Sequence, residues 1–390
     1  MTTTGAHLEG SHTPSLRSGG ASRFLEIVQK LGARFAARAA AADVEGRFVA
    51  DNYAELKEAR LMSALVPSEL GGGGASHGEV CQVLREISHH CGSTALALSM
   101  HTHLVAAAVW RHKHGQPAET LLRKIAASEL VLVSTGAGDW VESVGKAERA
   151  PGGYRVSAVK RFGSGSPAGD ILMTSAPFQD PERGWEVLVF PVPLGAPGVT
   201  VRNDWDTLGM RATGSNSIEL ADVFVADDAI ALRRPRGQWH PSWSVTVTVA
   251  VPIFMAPYIG IAERAAALAR EIVAGRAADS VLISSLGELG NALTVAQMAF
   301  REMIEIANNF DFAPKTEDAD RMLIRKTIAA NATSATVNKA VEVVGGSALF
   351  RSVGIERLWR DVQGAAFHPL PEKKQLAFSG RVALGLPPVG

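Results

Sequence analysis

The sequence predicts an α+β multidomain protein: an N-terminal α-helical domain, a middle β-barrel or sandwich and a C-terminal four-helix bundle. Three observations predict it. Residues 24–128 are rich in Ala, Leu, Glu and Arg, with apolar residues three and four apart. From Leu130 to Val225 the pattern changes to short apolar runs punctuated by Gly, Pro and Asp. Beyond Trp243, long Ala-rich helical segments return.

These changes set the expected boundaries. Residues 1–22 are rich in Thr, Ser, Gly and His without an apolar segment, and are expected to be a disordered tail, not a signal peptide. The helical domain is expected over 23–128, the β-domain over 129–235 and the bundle over 236–390. In the first, Phe24, Ile27, Val28, Leu31 and Phe35 mark one buried helix face. Pro67 and the run Gly71 to Gly74 interrupt the helices with a loop. Ala75 to Glu79 opens the next helix, Cys91-Gly92-Ser93-Thr94 breaks it, and Ala95 to Trp110 forms another.

In the β-domain, Leu130–Val133, Tyr154–Val156, Ile171–Thr174, Trp185–Phe190 and Ser217–Val225 read as strands. A connector with Pro and Trp, Arg233 to Trp243, leads to helices over Val251–Val273, Val281–Asn309 and Asp318–Val344. The separate helical and β blocks argue against a doubly wound sheet. No early Gly-x-Gly-x-x-Gly follows a first strand, so a dinucleotide fold is not expected.

Charge excludes some partners. Thirty-nine Lys and Arg balance thirty-nine Asp and Glu, a formal net charge of zero. That argues against nucleic acid or an anionic membrane as partner and permits subunits to associate. No apolar run approaches the roughly 20 residues a membrane span needs. The two cysteines, Cys81 and Cys91, fit neither a zinc site nor a disulfide framework, and are expected to be small buried hydrophobes in a reducing cytoplasm. No His, Cys, Asp or Glu cluster has metal-ligand spacing, so no metal is expected.

Five segments carry a resemblance. They are Val133-Ser134-Thr135-Gly136-Ala137-Gly138-Asp139, Lys160-Arg161-Phe162-Gly163-Ser164-Gly165, Trp205 to Ser215, the helix containing Gly260 to Arg264, and Gly345-Gly346-Ser347 through Arg360-Asp361 to His368-Pro369. In this order they resemble the acyl-CoA dehydrogenase superfamily, over Phe24 to Gly385. Dehydrogenases of that family place a Glu base two helical turns after the Arg-Asp pair; here Pro369 stands in that register, preceded by His368. The other known base position falls near Ala250, beside Val251, and neither side chain takes a proton. His368 and the Phe162/Ser164-Gly165 pair resemble instead the reduced-flavin monooxygenases of the same fold, the dibenzothiophene monooxygenase-like branch.

The resemblance implies roles. Ser134 and Thr135 would bond the polar edge of a flavin ring, Phe162 would cover one of its faces, and the Ser164 hydroxyl would lie near flavin N5. Arg276 would meet flavin phosphate across a subunit boundary, and Lys374 would reach flavin phosphate. His368 would act as general base or stabilise bound oxygen, being the side chain that titrates near neutrality. His101 and His103 lie two apart on a helix that lines the substrate side; they point in different directions, and His101 is taken as the one facing the cavity. Arg211 and Ser215 would pack the β-domain against the bundle.

The implied cofactor is a flavin, FMN or reduced FMN in preference to FAD. Ala277-Ala278 and Glu342 replace the family's support for the adenine half, and a carboxylate near a diphosphate is repulsive. The expected activity is a two-component monooxygenase acting with reduced flavin and dioxygen on a small organic substrate, with a separate flavin reductase and a homotetrameric assembly. Two alternatives stand beside it. One is an FAD-dependent acyl-CoA dehydrogenase with a relocated base, for which Glu372 is a candidate. The other is a non-catalytic protein of this fold.

Overall fold

The computed structural model describes residues 23–277 and 279–390. The expected tail, residues 1–22, lies outside the described residues. Five helices come first: α1 Arg23–Glu45, α2 Ala50–Glu58, α3 His77–His90, α4 Gly92–Lys113 and α5 Glu119–Ser128. Phe24, Val28, Leu31 and Phe35 of α1 are buried on one face, as their spacing predicts. A capping box starts α3, with Ser76 Oγ accepting from the Glu79 N–H and Glu79 Oε2 accepting from the Ser76 N–H. The Gly run before it is required by close approach. A Cβ on Gly72 would lie 2.3 Å from the Val66 carbonyl oxygen, and one on Gly73 2.6 Å from that of Ala64.

Eight strands follow: β1 Leu132–Val133, β2 Lys146–Ala150, β3 Gly153–Gly163, β4 Ile171–Asp180, β5 Gly184–Pro193, β6 Val199–Val201, β7 Asn216–Ala226 and β8 Leu232–Pro235. They form two four-stranded sheets, β1-β4-β5-β8 and β2-β3-β7-β6. Only the β1–β4 pairing is parallel. The inward side chains of both sheets, among them Val156, Leu172, Phe190, Ile218 and Leu220, make one core, so the architecture is a sandwich. Strands β2, β6 and β8 had no counterpart in the sequence reading. β2 buries only Ala147, β6 is three residues long, and β8 is Leu-Arg-Arg-Pro, so none shows an apolar alternation.

The C-terminal helices are α6 Pro241–Val273, α7 Ser280–Ala307, α8 Thr316–Val344, α9 Ile355–Val362 and α10 Glu372–Ala383. Two expectations need correction at α6. The helix begins ten residues before the predicted Val251, because Pro252 and Pro257 lie inside it and the preceding Thr-Val run reads locally as β. Burial overrides both signals: α6 packs against α3, α4, α7 and α8. It is also long and apolar enough to cross a membrane, contrary to the sequence reading, yet its most apolar 18-residue stretch is 94% buried inside the protein. It is a core helix. Pro252 removes a helical N–H, and His77 Nε2 meets the nearby Val249 carbonyl oxygen at 2.9 Å. The buried side chains of the N-terminal helices and of α6 to α10 form a second, continuous core.

Candidate active site

The site begins at the rim of the sandwich. The Gly136 N–H donates to the Arg161 carbonyl at 3.0 Å. A Cβ on Gly136 would come within 2.7 Å of the Phe162 ring. The loop after β1 therefore lies against the end of β3, which brings Ser134, Thr135, Phe162 and Ser164 together. The β3–β7 register shifts between Lys160 and Gly163, and Phe162 takes a left-handed φ of 62°. The bulge turns the Phe162 ring outward, exposed and edge-on to Trp205 with centroids 6.1 Å apart.

The first loop is anchored from beneath. Buried Lys160 Nζ donates to Asp139 Oδ1 at 2.6 Å, to the Val144 carbonyl at 2.8 Å and to the Ser175 carbonyl at 2.6 Å, using all three protons. Burial pushes the Lys160 ammonium below its ordinary pKa, opposed by Asp139. Asp139 also accepts from the Thr135 hydroxyl and the Val144 N–H. Thr135 thus spends its hydroxyl proton on Asp139, which corrects its expected side-chain donation to a ligand. The Ser134 hydroxyl has no partner among the described residues. Arg234, buried on β8, donates to the carbonyls of Val141, Asp139 and Trp140 and holds the same loop.

A hydroxyl relay fixes the polarity of Ser164. Thr213 Oγ1 donates its single proton to the Met210 carbonyl at 2.9 Å. Ser215 Oγ, 2.7 Å from Thr213 Oγ1, must then donate to it. Ser164 Oγ, 2.7 Å from Ser215, must in turn donate to Ser215. What Ser164 offers a ligand is lone pairs. Ser215 therefore spends its hydroxyl on the relay. Arg211 departs from expectation: it donates to the Asp43 carbonyl of α1 at 2.8 Å and to Asp206 and Thr207. The docking onto α9 falls to its neighbours. The Met210 N–H donates to Asp361 Oδ1 at 2.5 Å, and a Cβ on Gly209 would lie 2.1 Å from the Arg360 carbonyl oxygen.

Asp361 leads to the bundle side of the site. Burial pushes its carboxyl up to about 6, and its charge is felt by Tyr258 of α6. The Tyr258 hydroxyl is buried, has no hydrogen-bond partner among the described residues and lies against Gly364. The Tyr258 ring meets His368 edge-on at 5.4 Å, and Phe254 stacks on His368 at 5.0 Å and 19°. His368 lies on the connection between α9 and α10. It caps no helix, and neither ring nitrogen has a partner among the described residues. Burial, then the charges of Lys326 and His103, push it down to about 3.

His101 corrects another expectation. Its Nδ1 accepts from the Leu132 N–H at 2.9 Å, and its Nε2 donates to the Met62 carbonyl at 2.9 Å. Both nitrogens are spent pinning α4 to β1 and to the loop after α2, so none remains for substrate. His103, one of whose nitrogens lies 3.3 Å from the Ser99 carbonyl, is the histidine of this pair whose charge reaches His368.

Lys326 was not legible as a site residue. It is almost fully buried on α8, with Nζ donating to the Leu370 carbonyl at 3.1 Å. One signal could have found it: Met322, Leu323 and Ala330, at helical spacing around it, are buried, so the lysine lies on the apolar stripe.

Arg276 is not brought to this site within one chain. Arg276 follows the end of α6, about 25 Å along the helix direction from Tyr258 at 1.5 Å per residue, and donates to the Val344 carbonyl at the end of α8 at 3.3 Å. Lys374 is exposed on the first turn of α10. No group of three or more His, Cys, Asp or Glu able to hold a metal occurs among the described residues. Cys81 and Cys91 are free and buried.

The rim of Ser134, Phe162 and Ser164 suits a flat heteroaromatic ring: an exposed aromatic face, an unpaired hydroxyl and an acceptor with fixed direction. Two family models match the chain, the acyl-CoA dehydrogenase N-terminal domain over residues 22–129 and the C-terminal domain over residues 253–371, together more than half of it. The chain belongs to the acyl-CoA dehydrogenase family. Within it, the chain is 26% identical to dibenzothiophene monooxygenase of Mycolicibacterium goodii, over 92% of this chain and 93% of that one. The crystal structure of a nitrososynthase from Micromonospora carbonacea var. africana superposes with a TM-score of 0.86 at 26% identity, covering 94% of this chain and 98% of that one. A structure of KijD3 in complex with FMN and dTDP-3-amino-2,3,6-trideoxy-4-keto-3-methyl-D-glucose shares the fold, with a TM-score of 0.86 at 24% identity, covering 95% of each chain.

Proposed function

We propose that this family member is the oxygenase component of a two-component flavin-dependent monooxygenase. The observation that carries this reading is the side chain set around His368. The dehydrogenase base positions hold Pro369 and the buried Ala250, beside the buried Val251, while one position before Pro369 stands His368, whose ring nitrogens have no partner among the described residues. The relocated-base alternative needs a carboxylate at the site, and Glu372 is exposed at the start of α10 with its charge directed to Lys326. Similarity to dibenzothiophene monooxygenase supports the same reading.

FMN fits the chain better than FAD. The ring would rest on the Ser134, Phe162 and Ser164 rim, with Lys374 and a neighbouring subunit's Arg276 toward the phosphate. Reduced FMN, delivered by a separate reductase, supplies the electrons that activate dioxygen. Ser164, an acceptor by its relay, suits the N–H that a reduced flavin presents at N5 and is a poor partner for the acceptor nitrogen of an oxidised one. The rings of Phe254 and Tyr258 beside His368 offer apolar walls to a small organic substrate. His368, uncharged, accepts or passes a proton there.

Exposed Val281, Ile283 and Met298 on α7, with Ile328 on α8, give a second copy an apolar face. A homotetramer in the cytoplasm is the assembly proposed, and sedimentation would establish its mass.

Anaerobic titration with reduced and oxidised FMN and FAD, followed by mixing with oxygen, tests the reading. Tighter binding of reduced FMN and a transient absorbing species that outlives free reduced flavin are expected. Tight binding of oxidised FAD, bleached by an acyl-CoA, would return the protein to the dehydrogenases.

A further inference from the structure

We propose that Lys326 is a positioning residue for His368: buried on α8 and bonded to the connection from α9 to α10, its ammonium seats that segment and adds a cation to the surroundings of the imidazole. The inference rests on the reading of His368 as the residue that faces the reaction.

Burial and pairing carry it. Lys326 is 1% exposed, and its only hydrogen-bond partner among the described residues is the Leu370 carbonyl, two residues beyond His368. An ammonium has three protons to give, and two of them find no acceptor among the described residues. Burial lowers Lys326 to about 8, opposed by Glu372, so it remains charged at neutral pH. The groups that face His368 come from three elements: His103 of α4, Tyr258 of α6 and Lys326 of α8. Glu372 of α10 acts on Lys326, and Asp361 of α9 acts on Tyr258. No carboxylate pairs with the imidazole itself, so nothing offsets the cost of charging it beside a buried cation.

Ring packing restrains the half-buried imidazole in this field. Phe254 stacked on one face and Tyr258 at its edge hold it in place. Lys326 also bonds the backbone of the segment that carries His368, so one residue holds that segment and adds its charge to the burial that disfavours a charged imidazole. An uncharged imidazole keeps a lone pair for a proton. A charged one would offer donors only.

The test is a titration of His368 by NMR in the flavin-free protein labelled at histidine, with H368N to assign its signal. Failure of flavin to bind would leave this measurement unaffected, so the two readings fail separately. In the wild type His368 is expected to stay neutral down to pH 5. In K326M its midpoint is expected to rise by at least one pH unit, and in K326R to stay low. A wild-type midpoint near 6.5 overturns the proposal, as does a folded K326M whose midpoint equals that of the wild type. Should K326M not fold, K326Q carries the same comparison, with circular dichroism as the folding control. With activity in hand, K326M would gain an acidic limb in its pH profile that K326R lacks. A purely structural pin would lower activity at all pH values alike.

Discussion

Arg360 grips Asp43 with both arms of its guanidinium, Nη1 to Oδ1 at 3.0 Å and Nη2 to Oδ2 at 2.6 Å. The same side chain bonds Glu356 one turn back on α9 and the Leu208 carbonyl of the β-domain loop. One residue thus ties α1, α9 and the sandwich together, and its neighbour Asp361 receives Met210 from the same loop. Glu356 and Asp43 together raise the affinity of Arg360 for its proton. The Arg-Asp pair that marks the family is, in this chain, a joint between layers. R360M is expected to cost about 3 kcal/mol, since a mostly buried acid loses its partner. Urea unfolding measures it, and a cost below about 1 kcal/mol would contradict the assignment.

The Ser164 relay predicts a redox effect. In S215A the Ser164 hydroxyl is free to rotate and donate, so its preference for a reduced flavin should weaken. A hydrogen bond of about 1 kcal/mol corresponds to roughly a fivefold fall in the ratio of reduced to oxidised FMN affinity. Bound-flavin potentials would read this as a negative shift on the order of 20 mV. An unchanged potential would mean that Ser164 does not face the flavin.

Buried histidines set the acid limb of stability. Burial lowers His77, His101 and His103 to about 4 each, against about 6.5 in the unfolded chain. As pH falls below 6.5 the unfolded state binds protons that the folded state refuses. The stabilisation is present above pH 6.5 and is lost as pH falls toward 4, at about 1.4 kcal/mol per pH unit for each group. His89 works oppositely. Burial lowers it, but Glu263 and Glu86 outweigh burial and raise it to about 9, so its contribution is complete below pH 6.5 and is lost as pH rises through 9. Urea midpoints from pH 4.5 to 9.5 should therefore peak near neutrality, and H89Q should flatten the alkaline limb alone.

Lys160 and Asp139 form a buried pair whose loss should loosen the loop from Ser134 to Asp139. K160M leaves Asp139 buried without its cation, at a cost of about 3–5 kcal/mol. Adding D139N should recover part of that cost. Hydrogen exchange of residues 134–139 would rise in K160M, whereas an unchanged exchange rate would place the anchor elsewhere.

Local pattern explains what could be read from the chain. Phe24, Val28, Leu31 and Phe35 repeat at helical spacing, and Gly136, Gly163 and Gly209 sit in recognisable motifs, because periodicity and turn chemistry depend on neighbours in sequence. Missing strands β2, β6 and β8 are short or polar and exist through their partners. The start of α6 was hidden by Pro252 and a Thr-Val run that only the surrounding helices make helical.

The sequence by itself determined the order of helical, β and helical blocks, the family, and the replacement of an acidic base by Pro369 beside His368. The tertiary structure alone decided that His101 is spent on Leu132 and Met62, that Ser164 presents lone pairs, and that Lys326 is buried against the Leu370 carbonyl two residues past His368. Each of those is a matter of which atoms from distant segments meet in a low-dielectric interior, where one hydrogen bond or one buried charge changes what a side chain can do.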